Sequence, residues 1–197
     1  MHTRTPRSNL INKRLPLGLA VVGLALSAAA CSKSEATALR QAPAERGAYL
    51  VSVGACNDCH TPFKLGPNGP EPDMRRMLSG HPEDFQVEAP AELPPGWVWA
   101  GTGTNTAFAG PWGVSFSANL TPDSETGFGV YSEEAFIKAL RTGKHMGTGR
   151  PIMPPMPWPE YGKMTDDDLK AIYAYLQTIP PVRNRVPEAV PAAQPAG

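Results

Sequence analysis

Two cysteines and a histidine fall within five residues at Cys56-Asn57-Asp58-Cys59-His60, in a chain that holds three cysteines and four histidines in all. Thiols three residues apart share one face of a helix, with the imidazole next to them. Four chemistries can use such a cluster: a thiol–disulfide pair, half of a zinc site, a copper site, or covalent attachment of haem. Zinc requires two further ligands at characteristic spacing. Beyond the first 30 residues only Cys31, His81, His145 and carboxylates remain, and none is so spaced. A thioredoxin-like pair belongs among alternating strands and helices, a pattern not found around this motif. In haem attachment the two thiols meet the two vinyl groups of the porphyrin, and the imidazole reaches the iron. Spacing and the adjacent histidine favour haem; a structural disulfide between Cys56 and Cys59 is the plain alternative.

An iron held by His60 needs a second partner or keeps an open face. The stretch "RPIMPPMPWPEYGKM" offers Met153 and Met156, framed by Pro151, Pro154, Pro155, Pro157 and Pro159. Prolines fix φ and remove donors, so this loop is expected to be stiff. A thioether held in such a loop suits a His/Met iron and raises its reduction potential. The same methionines could instead fill core space, and His145, Met146, Met153 and Met156 form a set too thin in sulfur for copper. His81, in a loop, and His145, at a helix end, read as surface or capping residues rather than catalysts.

The elements that must position these groups are mostly helical. "PAERGAYLVSVGAC" runs into the cysteine cluster with Tyr49, Leu50 and Val53 on one face. "SEEAFIKALRTGKH" has Ser132 as N-cap, Glu133 and Glu134 in the first turn, and Phe136, Ile137 and Leu140 as its apolar face. In "TDDDLKAIYAYLQTIPP", Thr165 caps, Asp168 answers three residues later, and Leu169, Ile172, Tyr173 and Leu176 follow at helical spacing until Pro180 and Pro181. Between the first two helices lies a long stretch dense in Gly and Pro, in which "WVWAG" and "WGVSFSANL" read as the arms of a short hairpin. A loop of that length inside a compact domain is expected to wrap something, and a haem plate would supply the core that three helices lack. Asn119 and Thr121 read as turn formers ahead of Pro122, in preference to contacts with haem propionates.

The N-terminus reads as an export signal over residues 1–30. Arg4, Arg7, Lys13 and Arg14 precede the apolar run "LPLGLAVVGLALSAAA". That run is short for a membrane span, an uncleaved anchor being the alternative. "SAAAC" resembles a bacterial lipoprotein signal, which implies lipidation of Cys31; a lone exposed thiol in an oxidising compartment would otherwise be a liability. Residues 31–42 are a small, polar tether, residues 43–181 the folded domain, and residues 182–197 a loose Pro/Ala-rich tail. The signal takes four of the 18 basic residues, leaving 14 against 18 acidic, a formal charge of −4. With no basic patch interleaved with aromatics, nucleic acid is not an expected partner.

"RGAYLVSVGACNDCHTP", "GVSFSANLTPDSETGFGVYSEEAFIKALRTG" and "PPMPWPEYGKMTDDDLKAIYAYLQTIPPV" together resemble class I c-type cytochromes. They are most similar to the cytochrome subunits of membrane-bound bacterial alcohol, aldehyde and sugar-acid dehydrogenases. Such subunits often carry several haem motifs, and this chain has one. The resemblance implies one haem c held covalently by Cys56 and Cys59, with His60 as proximal and Met156 as distal iron ligand, and Met153 in reserve. It implies an all-α fold in which the first and last helices cross and the long loop envelops the haem, with Gly47 allowing close approach of the two helices. The expected function is a periplasmic, lipid-tethered carrier of single electrons. Its donor would be a dehydrogenase or a quinol-oxidising protein of a respiratory chain, and its acceptor an oxidase or other redox protein. A haem enzyme or small-gas sensor with an open or labile sixth ligand is the alternative, and a thiol switch at Cys56–Cys59 survives only without haem.

Overall fold

The computed structural model describes residues 43–192 apart from Ala89 and Ala91. The expected signal, the tether and Cys31 lie outside the described residues. Helix α1 covers 43–53 and α2 covers Cys56–His60, joined by Gly54 and Ala55. Ala55 takes the left-handed conformation (φ 54°), at a cost of roughly 1 kcal/mol for a residue with a side chain. Helix α3 spans Glu133–Thr142, the short α4 Trp158–Tyr161, and α5 Asp166–Leu176. Both predicted N-caps form: the Ser132 hydroxyl accepts from the Ala135 N–H at 3.2 Å, and that of Thr165 from the Asp168 N–H at 3.1 Å. The Asp168 carboxylate turns instead to Arg46 of α1 at 3.0 Å.

The fold is not all-α. Among the described residues six strands form two antiparallel sheets alongside the helices. Strands β1 (Phe63–Gly66) and β2 (Gly69–Pro72) make a hairpin in the register Phe63↔Pro72 to Gly66↔Gly69. Strands β3 (Ala100–Gly101), β4 (Ala107–Gly110), β5 (Gly113–Phe116) and β6 (Val190–Pro191) make a second sheet in that order. The Gly/Pro-rich stretch thus carries five of these six strands, and β6 comes from the segment after Pro181. Its strands have two to four residues, too few to display alternation, and β2 reads Gly-Pro-Glu-Pro. Proline is tolerated there because a two-stranded ribbon leaves outer edges that need no N–H donor. The expected hairpin is also corrected. "WVWAG" does not pair with "WGVSF", because β4 lies between them, with Ala100↔Ala109 on one side and Ala107↔Phe116 on the other.

The core gathers Leu50 and Val51 of α1, Leu78, Phe136 and Leu140 of α3, and Leu169, Ile172 and Leu176 of α5. The α3 and α5 faces match the periodicity, with Ile137 and Tyr173 half-buried at their margins. The α1 face does not: Tyr49 and Val53 are 58% and 60% exposed, whereas Val51 is 2% exposed. The inward stripe is Gly47–Leu50–Val51–Gly54, at helical spacing, and two of its four members carry no hydrophobic side chain to betray it. Gly47 decides the matter. A Cβ there would overlap the carbonyl oxygen of Ala171 and lie 2.7 Å from Tyr175 Cβ, so α1 approaches α5 backbone to backbone. The neighbouring Arg46–Asp168 pair is exposed, contributes about 0–1 kcal/mol, and is the lesser determinant of the contact.

The segment after Pro181 is not a loose tail as far as Ala192. Asn184 is 1% exposed, and its amide donates to the carbonyls of Ser79 and His81 at 2.7 and 2.8 Å. Its Oδ1 accepts from the Glu83 N–H at 2.9 Å. From this anchor the chain runs on as a strap and ends as β6 on β5, Val190 opposite Val114. Buried backbone groups must be paired, and one asparagine here pairs three of them.

Candidate functional site

A cavity of about 640 Å³ lies against the core, within the range of cofactor sites. Cys56, Cys59 and His60 line it together, and so do Met153 and Met156. Five of the residues singled out in the sequence thus meet at one wall-to-wall space, although nearly a hundred positions separate the two groups. Leu50, Phe136, Leu140, Ile172 and Leu176 supply much of the remaining wall.

His60 is buried and oriented. Its Nδ1 lies 2.8 Å from the carbonyl oxygen of Ala118, so Nδ1 carries the proton and Nε2 is the nitrogen with a free lone pair. Burial holds the imidazole below its ordinary pKa, opposed by the Ala118 bond, and keeps it neutral as a ligand must be. The backbone around it is close-fitted. Gly80 N–H donates to the His60 carbonyl at 2.8 Å, and His81 N–H to that of Ser117 at 2.9 Å. Gly80 (φ 77°) could not be another residue without displacement, since a Cβ would lie 2.5 Å from Ser117 O and 2.6 Å from Ala118 C. Residues 117–118, which orient the imidazole, therefore depend on a bare glycine.

Helix α2 brings the thiols to the cavity as the three-residue spacing requires, and its last turn is tied by Thr61 Oγ1 to Asn57 Oδ1 at 2.8 Å. The two thiols are free. Burial pushes Cys56 up to about 11, and burial with the charge of Asp58 raises Cys59. A thiol-exchange centre needs the opposite, a depressed pKa that populates the thiolate. Nor do any three His, Cys, Asp or Glu side chains converge on a metal point among the described residues, so the zinc reading finds no donor set here.

The proline-framed loop is fastened at both ends. Ile152 N–H donates to the Gly143 carbonyl at 2.8 Å, Ser115 Oγ donates to Pro154 O at 2.5 Å, and Tyr161 OH donates to Gly54 O at 2.5 Å, linking α4 to the residues ahead of Cys56. Met156 packs against the core cluster. Met153 lines the cavity without that support. Met146 is exposed and lies outside the lining, which leaves the copper set incomplete.

Two histidines differ from expectation. His81 is not a surface residue: it is fully buried, bonded to Thr106 Oγ1 and Phe85 O at 2.9 Å each, with its ring tilted against Phe116 at 4.8 Å between centroids. With both nitrogens engaged it has a structural role. His145 lines the cavity, with its pKa down at about 4 through burial and the neighbouring Arg150. Asn119 is the turn former anticipated. Its Oδ1 accepts from Thr121 N–H and Oγ1, and its amide donates to Val182 O at 2.8 Å. The charged cavity residues that sequence reasoning missed are Glu125, Arg150, Arg185 and Glu188, none of which was singled out for its chemistry, and His145 was read as a surface or capping residue.

No family model matches the chain. Curated relatives do. The chain is 31% identical over 147 residues to "Alcohol dehydrogenase (quinone), cytochrome c subunit" of Gluconobacter oxydans, covering 73% of this chain and 23% of that protein. It is 33% identical over 157 residues to "Gluconate 2-dehydrogenase cytochrome c subunit" of Pantoea cypripedii, covering 80% of this chain and 27% of the relative. With "Fructose dehydrogenase cytochrome subunit" of Gluconobacter japonicus it shares 31% over 133 residues, 68% of this chain and 20% of the relative. The chain therefore spans about a quarter of the length of the curated relatives it matches. On this kinship the chain belongs with the cytochrome c subunits of bacterial alcohol, gluconate and fructose dehydrogenases.

Proposed function

We propose that the chain is a single-haem c-type cytochrome that passes electrons one at a time, with haem c joined to Cys56 and Cys59 and its iron held by His60 and Met156. The orientation of His60 carries this reading: Nδ1 is engaged by Ala118 O, and Nε2 is left as the lone-pair nitrogen of a buried imidazole at a cavity shared by two unpaired thiols and two methionines. That donor set fits haem c: covalent anchors, one imidazole, one thioether and a largely apolar wall. The bound haem supplies the one-electron chemistry. The protein's own part is to hold His60 neutral and aligned, to keep water from the apolar face formed by Phe136, Leu140, Ile172 and Leu176, and to hold Met156 on a loop fastened by Ser115 and Tyr161. Of the two methionines, Met156 is favoured because the core packs on it.

The kinship supports a dehydrogenase catalytic subunit as electron donor, with a downstream redox protein as acceptor. Export to the periplasm and lipidation at Cys31 belong to the same proposal, on the basic and apolar N-terminus that ends in "SAAAC". Absorption spectra of the purified chain, made in a host that attaches haem, test the ligation. A low-spin spectrum with the long-wavelength sulfur-to-ferric-iron band when oxidised is expected. High-spin iron would overturn the carrier reading in favour of an enzyme or gas sensor.

A further inference from the structure

The charged members of the cavity wall, with His145, are gathered rather than scattered. Glu125 comes from the turn after Asn119, His145 and Arg150 from the segment after α3, and Arg185 and Glu188 from the strap. Contacts join them. Arg150 Nε lies 3.4 Å from Glu188 Oε2, and Arg183 Nε of the strap lies 3.8 Å from Glu125 Oε2. His145 N–H donates to the Arg150 carbonyl at 2.9 Å, and Arg185 N–H to Glu83 Oε2 at 2.9 Å. Among the described residues, the ion pairs of this region occupy Arg150 and Arg183 and leave the Arg185 guanidinium without a carboxylate partner. A space apolar over most of its wall, with two guanidinium groups along one polar margin, suits a flat apolar molecule bearing carboxylates on one edge. Arginine pairs with carboxylates through a planar fork of donors.

We infer that Arg185 and Arg150 bind the two carboxylates of the haem edge, and that the strap exists to deliver Arg185. The neighbouring Asn184, fixed by its bonds to Ser79, His81 and Glu83, sets the backbone from which Arg185 projects. This inference rests on the haem reading above. Both arginines are solvent-exposed, so screening limits their effect to a modest one. Its sign is fixed: a cation beside the haem disfavours the ferric state, and removing it lowers the reduction potential. A lost cation also raises the carboxylate pKa, moving the pH-dependent step in potential to higher pH. The other titratable and charged groups facing this margin are Glu83, Glu125, Glu188, Arg183, Tyr131 and His145, and His145, at about 4, is already neutral across that step.

The test is redox titration of the full haem-loaded chain over about pH 5 to 8, with haem attachment verified by intact mass in each variant. R185Q is expected to shift the ferrous-to-ferric ratio at fixed potential three- to tenfold toward ferric, tenfold being about 59 mV for one electron. It is also expected to move the pH step upward, with R150Q acting in the same direction and R185K restoring most of the potential. Wild-type potential and pH profile in both glutamine variants, with haem in place, would overturn the inference and leave the haem reading standing. A wild-type chain without haem would remove both.

Discussion

Met156→Ala, in the haem-loaded chain, is expected to convert a low-spin spectrum to a high-spin one and to abolish the sulfur-to-iron band. The reduction potential should fall by about 0.1–0.2 V, part of the roughly 0.8 V that axial ligation spans. Met153→Ala should leave the spectrum unchanged. The two methionines stand three residues apart in one stiff loop and line one cavity, so composition alone does not choose between them. Packing supports the proposal for Met156, which rests against the core cluster, and a ligand must be held where it binds. Absorption and redox titration of the two variants decide the matter. The reverse pattern would transfer the ligand role to Met153, and an unchanged spectrum in both would remove methionine from the iron altogether.

The second large effect concerns stability. Asn184→Ala is expected to destabilise the domain by about 3–4 kcal/mol, because it strips partners from the carbonyls of Ser79 and His81 and from the Glu83 N–H at a site 1% exposed. A buried polar group left unpaired costs roughly 1–3 kcal/mol. Arg76 Nη2, 3.3 Å from Asn184 Oδ1, adds a weaker loss. Urea unfolding of the variant against a surface control such as Gln177→Ala measures it. A change within about 0.5 kcal/mol, as for ordinary surface positions, would mean that the strap is not anchored as described.

The contrast between these residues shows what a sequence exposes. Ser132 and Thr165 announced two helices because a cap is a local bond between residues three apart, and the apolar spacing behind each was carried by large side chains. That the cysteine cluster faces one space was legible because residues three apart share a helix face. The proline-framed methionines were legible because proline restricts the chain wherever it stands. The two sheets were not: short strands punctuated by Gly and Pro carry no alternation, and β6 pairs with β5 across more than seventy positions. The inward face of α1 was misread because Gly47 and Gly54 mark it by absence. Asn184 and Arg185 were passed over in a Pro/Ala-rich stretch, since an asparagine that bonds three distant backbone groups looks like any other polar residue. The same holds for the orientation of His60, which is set by a backbone carbonyl, at Ala118, that any residue would offer.

The central claim is that Cys56, Cys59 and His60 form a haem-attachment site, and intact-mass spectrometry tests it most directly. The chain produced in a host with haem-attachment machinery is predicted to carry the mass of one haem, and the Cys56→Ser/Cys59→Ser variant none. A wild-type chain that gains no haem mass under those conditions, or is lighter by the two hydrogens of a Cys56–Cys59 disulfide, would contradict the account and return the cluster to thiol chemistry.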